Sequence, residues 1–275
     1  MKPSRIVLEA GRIERNYWRD LWRYRELFAI FAWRDVAVRY RQTLIGVAWA
    51  IVRPFLTMVI FVVVFAHLAR LPTDGAAPYA LLIFAGLLPW FVFSTLLGEA
   101  ADSLVGNANL IRKVYFPRII LPSSLIFATL VEFLINLALF GTLLIWFGFM
   151  PDWRVIFLPA FFLLAIALSL GPALLMTALN VKYRDFRYII PFIIQLLLYV
   201  SPVGFSSGAV PAQWRFWYSL NPLVGVIDGF RWCLLGGQSE LYLPSLAISI
   251  LLSVVFLWIG ISYFRRTERT FADTI

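Results

Sequence analysis

The chain has 275 residues, of which 61% are hydrophobic and 14% charged, with a mean hydropathy of +0.83. A soluble domain carries roughly 25% charged residues, so the composition excludes an ordinary water-soluble enzyme and reads as an integral membrane protein. The net charge of +9 is read as Arg and Lys held against anionic lipid rather than as a nucleic-acid surface.

In chain order, residues 1–43 form an Arg-rich N-terminal segment, the wrong shape for a cleaved leader. Within it, residues 15–37 are amphipathic. At 100° per residue Tyr17, Leu21, Tyr24, Phe28 and Phe31 share one face, with Arg19, Arg23 and Glu26 opposite. The segment is expected to be an interfacial helix lying along the membrane surface. A transmembrane domain over 44–264 follows, then a tail over 265–275.

Six apolar runs read as membrane helices, at 44–68, 79–97, 119–149, 155–178, 188–203 and 241–264. A span needs about 20 apolar residues at a rise of about 1.5 Å each. The fold class is therefore all-α, and the fifth run is the shortest. The 11 Trp and 11 Tyr suit interfacial belts.

Basic residues set the orientation. The segment to Thr43 carries ten, the connections 98–118 and 179–187 three each, and the tail after Phe264 three. Arg70, Arg154, Arg215 and Arg231 fall on the other side. This asymmetry places both termini and both basic connections in the cytoplasm. Residues 100–111 read as a short helix across the end of a span, suited to a partner; an ordinary interfacial loop is the plainer alternative. Residues 204–240, broken by Pro211 and Pro222, read as two short re-entrant helices turning at Asn221-Pro222. Irregular backbone at membrane depth needs cover from protein or a water-filled cavity, so this segment reads as a pathway mouth or, more simply, an aromatic interfacial cap.

Polar groups inside spans are few: Arg53 before Pro54, Glu132 and Asn136 one turn apart, and Gln195. Such groups usually face a bundle interior. Arg53 could pair with Glu132 or reach the headgroups.

Catalytic patterns are absent from the sequence. Lys2, Lys113 and Lys182 are its only lysines and none sits in a phosphate-binding Gly-rich loop. His67 is the single histidine and Cys233 the single cysteine, so neither a His-based metal site nor an internal disulfide is expected. Gly204-Phe-Ser-Ser-Gly208 fits a nucleophile elbow in letters, but it follows a membrane span and has no histidine base at hand.

Several stretches together resemble one family. They are Ala32-Trp-Arg-Asp-Val-Ala-Val-Arg-Tyr-Arg-Gln-Thr-Leu-Ile-Gly-Val-Ala-Trp-Ala50, Phe84-Ala-Gly-Leu-Leu-Pro-Trp90, Gly106-Asn-Ala-Asn-Leu-Ile-Arg-Lys-Val-Tyr-Phe-Pro117, Asn180-Val-Lys-Tyr-Arg-Asp185 and Asn221-Pro-Leu223. The chain resembles the membrane subunit of bacterial type-2 ABC exporters of polysaccharides and polyol phosphates, the group that exports O-antigen, capsule and teichoic acid.

The resemblance implies a homodimer in the bacterial inner membrane, joined to two copies of a separate ATPase that binds ATP and Mg. No cofactor is then expected in this chain. It implies a coupling helix over 100–111, with Asp102, Asn107, Asn109 and Arg112 as ATPase contacts; in the second connection Lys182, Arg184 and Asp185 are further candidates to dock a partner, with lipid headgroups as the plainer alternative. It implies a glycan on undecaprenyl pyrophosphate as cargo, moving between the two copies along spans one and five while its lipid stays in the bilayer. Trp90, Tyr199, Phe205, Trp217 and Tyr218 are candidates for the sugar path, since aromatic faces suit sugar C–H faces. Arg39, Arg41 and Arg53 are candidates to meet the pyrophosphate.

Three rivals stand beside this. One is an exporter of a drug or small lipid. Another is a membrane glycosyltransferase, for which Asp185 alone is poor material. The third is a scramblase that works without ATP.

Overall fold

The computed structural model describes residues 17–41, 44–71, 75 and 77–271. Among the described residues there is no strand. Helices α1 (Tyr17–Arg23) and α2 (Arg25–Arg41) lead to α3 (Leu44–Phe61), which continues as a π-helical stretch, Val62–Leu68. There follow α4 (Tyr79–Gly106), α5 (Ala108–Lys113), α6 (Ile120–Trp146), a 3-10 turn Trp153–Phe157, and α7 (Leu158–Lys182). The chain ends with α8 (Phe186–Val200), α9 (Ala212–Tyr218), α10 (Pro222–Leu234) and α11 (Leu243–Thr267).

Among the described residues, five helices are long and apolar enough to cross a membrane: Ala48–Leu68, Tyr79–Gly106, Ile120–Trp146, Trp153–Lys182 and Leu243–Thr270. The remaining apolar run is α8. Its 15 residues reach about 22 Å, less than the roughly 30 Å hydrocarbon core.

The centre of the bundle is α4. Its run from Leu81 to Phe93 is apolar on every side and wholly buried, as expected of a helix with no polar face. Helices α6, α7 and α10 pack around it, and α11 packs on α7 and α10. The α7–α11 crossing depends on two glycines. A Cβ on Gly171 would lie 2.5 Å from the Leu257 backbone nitrogen, and one on Gly260 would lie 2.1 Å from the Gly171 carbonyl. Small residues let membrane helices approach this closely.

A second apolar cluster, including Tyr17, Phe31, Leu104, Ile111, Phe116, Phe264 and Phe271, gathers the ends of several helices. There the Tyr17 hydroxyl donates to Glu268 at 3.0 Å, and the Arg118 guanidinium donates to the Glu268 carbonyl. The first and last described residues therefore share one end with the basic connections around 107–119 and 182–185. The opposite end is tied by Arg154 donating to the Gly236 carbonyl at 2.6 Å and Tyr79 to the Gly204 carbonyl at 2.9 Å.

Two boundaries and one ion pair differ from the sequence expectation. Residues 100–106 are no separate helix; they continue α4, because nothing between Leu97 and Gly106 breaks it, and the short helix is Ala108–Lys113. The surface helix is two pieces meeting at Tyr24, and the second runs on to Arg41; residues 15 and 16 lie outside the described residues. Glu132 pairs with Arg39 at 2.7 Å, not with Arg53. The outer segment does form two short helices, α9 and α10. Asn221 caps α10 by accepting from Leu223 N at 3.1 Å, and Pro222 takes the first turn.

Candidate functional site

A cavity of about 700 Å³ runs from the basic end toward the middle of α4. Its wall is built from α2, α3, α4, α6 and α8. A smaller one of about 440 Å³ shares Arg34, Asp35, Glu99 and Leu125 with it. Aromatic Trp90 and Phe91 lie toward its deep end, and charged or amide groups (Arg53, Glu99, Asp102, Asn107, Arg187 and Gln195) line the rest. Gly98 on α4 leaves room in the wall, with Ile194 of α8 3.6 Å from where its Cβ would be.

The carboxylates of this region are occupied. Arg34 donates to Asp35 at 2.8 Å and to the Asn107 side-chain oxygen at 2.9 Å. Ser124 of α6 donates to the other Asp35 oxygen at 3.1 Å. Arg39 lies between Glu99 of α4 and Glu132 of α6, bonded to both. Burial disfavours the Arg39 charge, but the two carboxylates outweigh it and raise its pKa above the ordinary arginine value. Asp102 accepts from the Asn180 amide at 3.0 Å. By contrast, Arg53 and Arg187 line the same cavity with no ion pair to a described residue. The cavity thus offers two uncommitted guanidinium groups below aromatic rings, an arrangement able to receive an anionic group on a partly apolar molecule.

The expected coupling residues divide into two groups. Asp102 is exposed but accepts from Asn180, and Asn107 accepts from Arg34 and donates to the Ser103 carbonyl at 2.7 Å. Asn109, Arg112, Lys182, Arg184 and Asp185 are exposed at the basic end. They form the outward-facing polar surface of α5 and the α7–α8 turn.

The expected path residues do not share one wall. Trp90 lines the cavity. Phe205 and Tyr218 pair at the opposite end with ring centroids 6.2 Å apart. Burial pushes the Tyr218 phenol up, and Asp228 adds to this. Tyr199 and Trp217 are 67% and 63% exposed on the outside of the chain. Of the expected pyrophosphate cations, Arg53 lines the cavity and Arg39 is committed to Glu99 and Glu132. The Arg41 side chain lies outside the described residues.

Sequence reasoning missed Arg34, Asp35, Glu99, Arg187 and Arg231. Arg231 is the largest fully buried side chain among the described residues. Its spacing from Asp228, one helical turn within an apolar run, was the available signal.

The model of the ABC-2 type transporter family matches residues 26–235. The chain belongs to the ABC-2 type transporter family. Relatives within reach of this transporter cover nearly its whole length. It is 28% identical to the O-antigen export system permease protein RfbA of Myxococcus xanthus over 94% of this chain and 98% of that one. It is 23% identical to the protein of the same name from Klebsiella pneumoniae, over 91% and 95% respectively. It is 26% identical to the polysialic acid transport protein KpsM of Escherichia coli, over 86% and 91%. The family match spans the transporter from α2 to the end of α10, so it takes in the cavity, α5, α9 and α10 together.

Proposed function

We propose that the chain is the membrane subunit of an ATP-driven exporter that moves a lipid-linked polysaccharide, an O-antigen-like glycan on undecaprenyl pyrophosphate, across a bacterial inner membrane. It works as a homodimer with two copies of an ATPase, which binds ATP and Mg, and it catalyses no reaction itself. A capsular or teichoic acid polymer is the alternative cargo.

The observation that carries this reading is the end-to-end likeness to two O-antigen export permeases and a polysialic acid transport protein, over a cavity that combines aromatic rings with two guanidinium groups that have no ion pair among the described residues. Arg53 and Arg187 meet the pyrophosphate at the cavity mouth, and Trp90 stacks on the first sugars. Repeated weak contacts suit a polymer that has to move. The basic end faces the cytoplasm, where Asn109, Arg112, Lys182, Arg184 and Asp185 contact the ATPase. Closure of the ATPases then moves the helices as packed bodies.

A dimer suits the exposure pattern. The apolar window of the first span is only 11% buried, and Ile190 is the one buried residue of α8. These two helices present apolar flanks that a second copy and lipid share between them.

The test is ATP turnover by the complex co-purified with its ATPase, with and without lipid-linked glycan. The reading expects a stable complex stimulated by glycan, with stimulation reduced about tenfold by Asn109→Arg, a loss of ~1.4 kcal/mol of coupling. Lipid movement by the chain alone, with no co-purifying ATPase, supports the scramblase instead.

A further inference from the structure

Three consecutive backbone carbonyls at the end opposite the basic one are held by just two side chains from other helices. Arg231 of α10 donates to the Val203 carbonyl at 3.0 Å and to the Phe205 carbonyl at 2.8 Å. Between them, the Tyr79 hydroxyl at the start of α4 donates to the Gly204 carbonyl at 2.9 Å. The Arg231 Nε also donates to the Leu82 carbonyl of α4 at 3.2 Å, so one guanidinium joins α10, α4 and the α8–α9 connector.

The ends of the connector are fastened too. The Asn221 amide donates to the Ser201 hydroxyl at 3.0 Å, and the Ser207 hydroxyl donates to Asp228 at 2.7 Å. Two close approaches complete the arrangement. A Cβ on Gly86 would lie 2.8 Å from Arg231 Nη2, and one on Gly204 would lie 2.3 Å from the Phe65 ring. Non-helical backbone at membrane depth persists only where protein or a water-filled cavity satisfies its polar groups. Here that work falls on Arg231 and Tyr79.

The location gives the arrangement a consequence. The lining of the large cavity stops at Trp90 on α4 and Leu198 on α8. One turn beyond Trp90 is Gly86, against which the Arg231 guanidinium lies. Just beyond Leu198 come Ser201 and Val203, the fastened backbone. The connector therefore begins just beyond the last cavity-lining residues of α4 and α8.

We propose that Arg231 is the positioning residue of a seal: with Tyr79 it fastens residues 201–207 over the end of the cavity marked by Trp90 and Leu198, and a route to the far side opens only when these carbonyls are released. Once released, the carbonyls of 203–205 become acceptors for water or for the hydroxyls of a passing cargo. The proposal rests on the chain being a transport subunit, but on neither the glycan nor the ATPase.

The test is leakage of a small anionic dye from liposomes that hold the full chain alone. Wild type is compared with Arg231→Met, Arg231→Lys, Tyr79→Phe and, as a control at the same end away from the connector, Arg154→Gln. Arg231→Met and Tyr79→Phe are expected to leak about tenfold faster, equivalent to ~1.4 kcal/mol in the balance between closed and open forms. Arg231→Lys should fall between them and wild type, and Arg154→Gln should be as tight as wild type. If Arg231→Met does not fold, Tyr79→Phe, which removes only a hydroxyl, decides the matter. Folded Tyr79→Phe and Arg231→Lys proteins as tight as wild type would overturn the seal, as would equal leakage from Arg154→Gln. Either result leaves ATP-driven transport by the wild type unaffected, so the seal and the proposed function fail separately.

Discussion

Arg39 shows how a charge is kept at the edge of the bundle. It is bonded to carboxylates on two different helices, Glu99 and Glu132. Removing it leaves two half-buried acids facing one another, whereas removing one acid leaves the other still paired. Arg39→Met is therefore expected to destabilise by about 2 kcal/mol, toward the low side for a buried pair because each partner keeps some water contact. Glu132→Gln should cost clearly less. Thermal unfolding in detergent measures both, and equal losses would contradict this account. The sequence marks Arg53 and Glu132 as costly charges inside spans and offers them as a pair, but it does not show that Glu132 pairs with Arg39 instead. The amphipathic face was drawn only to residue 37. Carried on to Arg41, where α2 ends, the same 100° wheel puts Asp35 and Arg39 on the Phe28–Phe31 face. The inward charges were thus within reach of the pattern, and their partners on α4 and α6 were not, because pairing between helices is a tertiary fact.

The helices themselves were more legible than their ends. All six apolar runs are helical, since length and hydropathy decide that much. Hydropathy drops after Leu97, where the sequence reading ends the span, but polarity alone does not break a helix and no Pro lies between Leu97 and Gly106. So α4 runs on to Gly106, and α5 hangs from it at Asn107. That junction is held to α2 by the bond from Arg34 to Asn107. Arg34→Ala is expected to speed hydrogen exchange across residues 107–113 by about tenfold, the loss of one charge-assisted bond. Unchanged exchange would mean that apolar packing of Ile111 alone fixes α5. The α7–α11 crossing gives a second expectation at this scale. Gly260→Ala inserts a methyl against the Gly171 carbonyl and should cost about 1–3 kcal/mol by overpacking, read as loss of folded protein in a denaturing-detergent titration. Substitution at Gly141, where a Cβ meets nothing within 4 Å, should leave that titration unchanged.

Across the whole molecule, the two ends differ in kind. One gathers the described termini, α5 and the basic turns, and the other carries the fastened connector and the two short helices. Cys233 is fully buried, so the native chain is a suitable background for single added cysteines. Asn109→Cys and Arg184→Cys are expected to react with an impermeant thiol reagent only from the cytoplasmic side, and Trp153→Cys and Gly208→Cys only from the opposite side. Labelling of Asn109→Cys and Gly208→Cys from the same side would contradict the arrangement. The bundle, its short fifth apolar helix and the pair of short helices over 204–240 were readable from composition, Pro placement and hydropathy. The cavity was not, because it arises from side chains of five helices that lie far apart in the chain.

The most direct test of the central claim is transfer of a lipid-linked glycan across liposomes that contain this chain and its ATPase, followed by accessibility of the glycan to a lectin on the far side. The account predicts transfer that requires ATP hydrolysis and is lost, without loss of complex assembly, when Arg53 and Arg187 are both changed to Gln. Transfer that proceeds equally without ATP, or none in an assembled and hydrolysing complex, would contradict it.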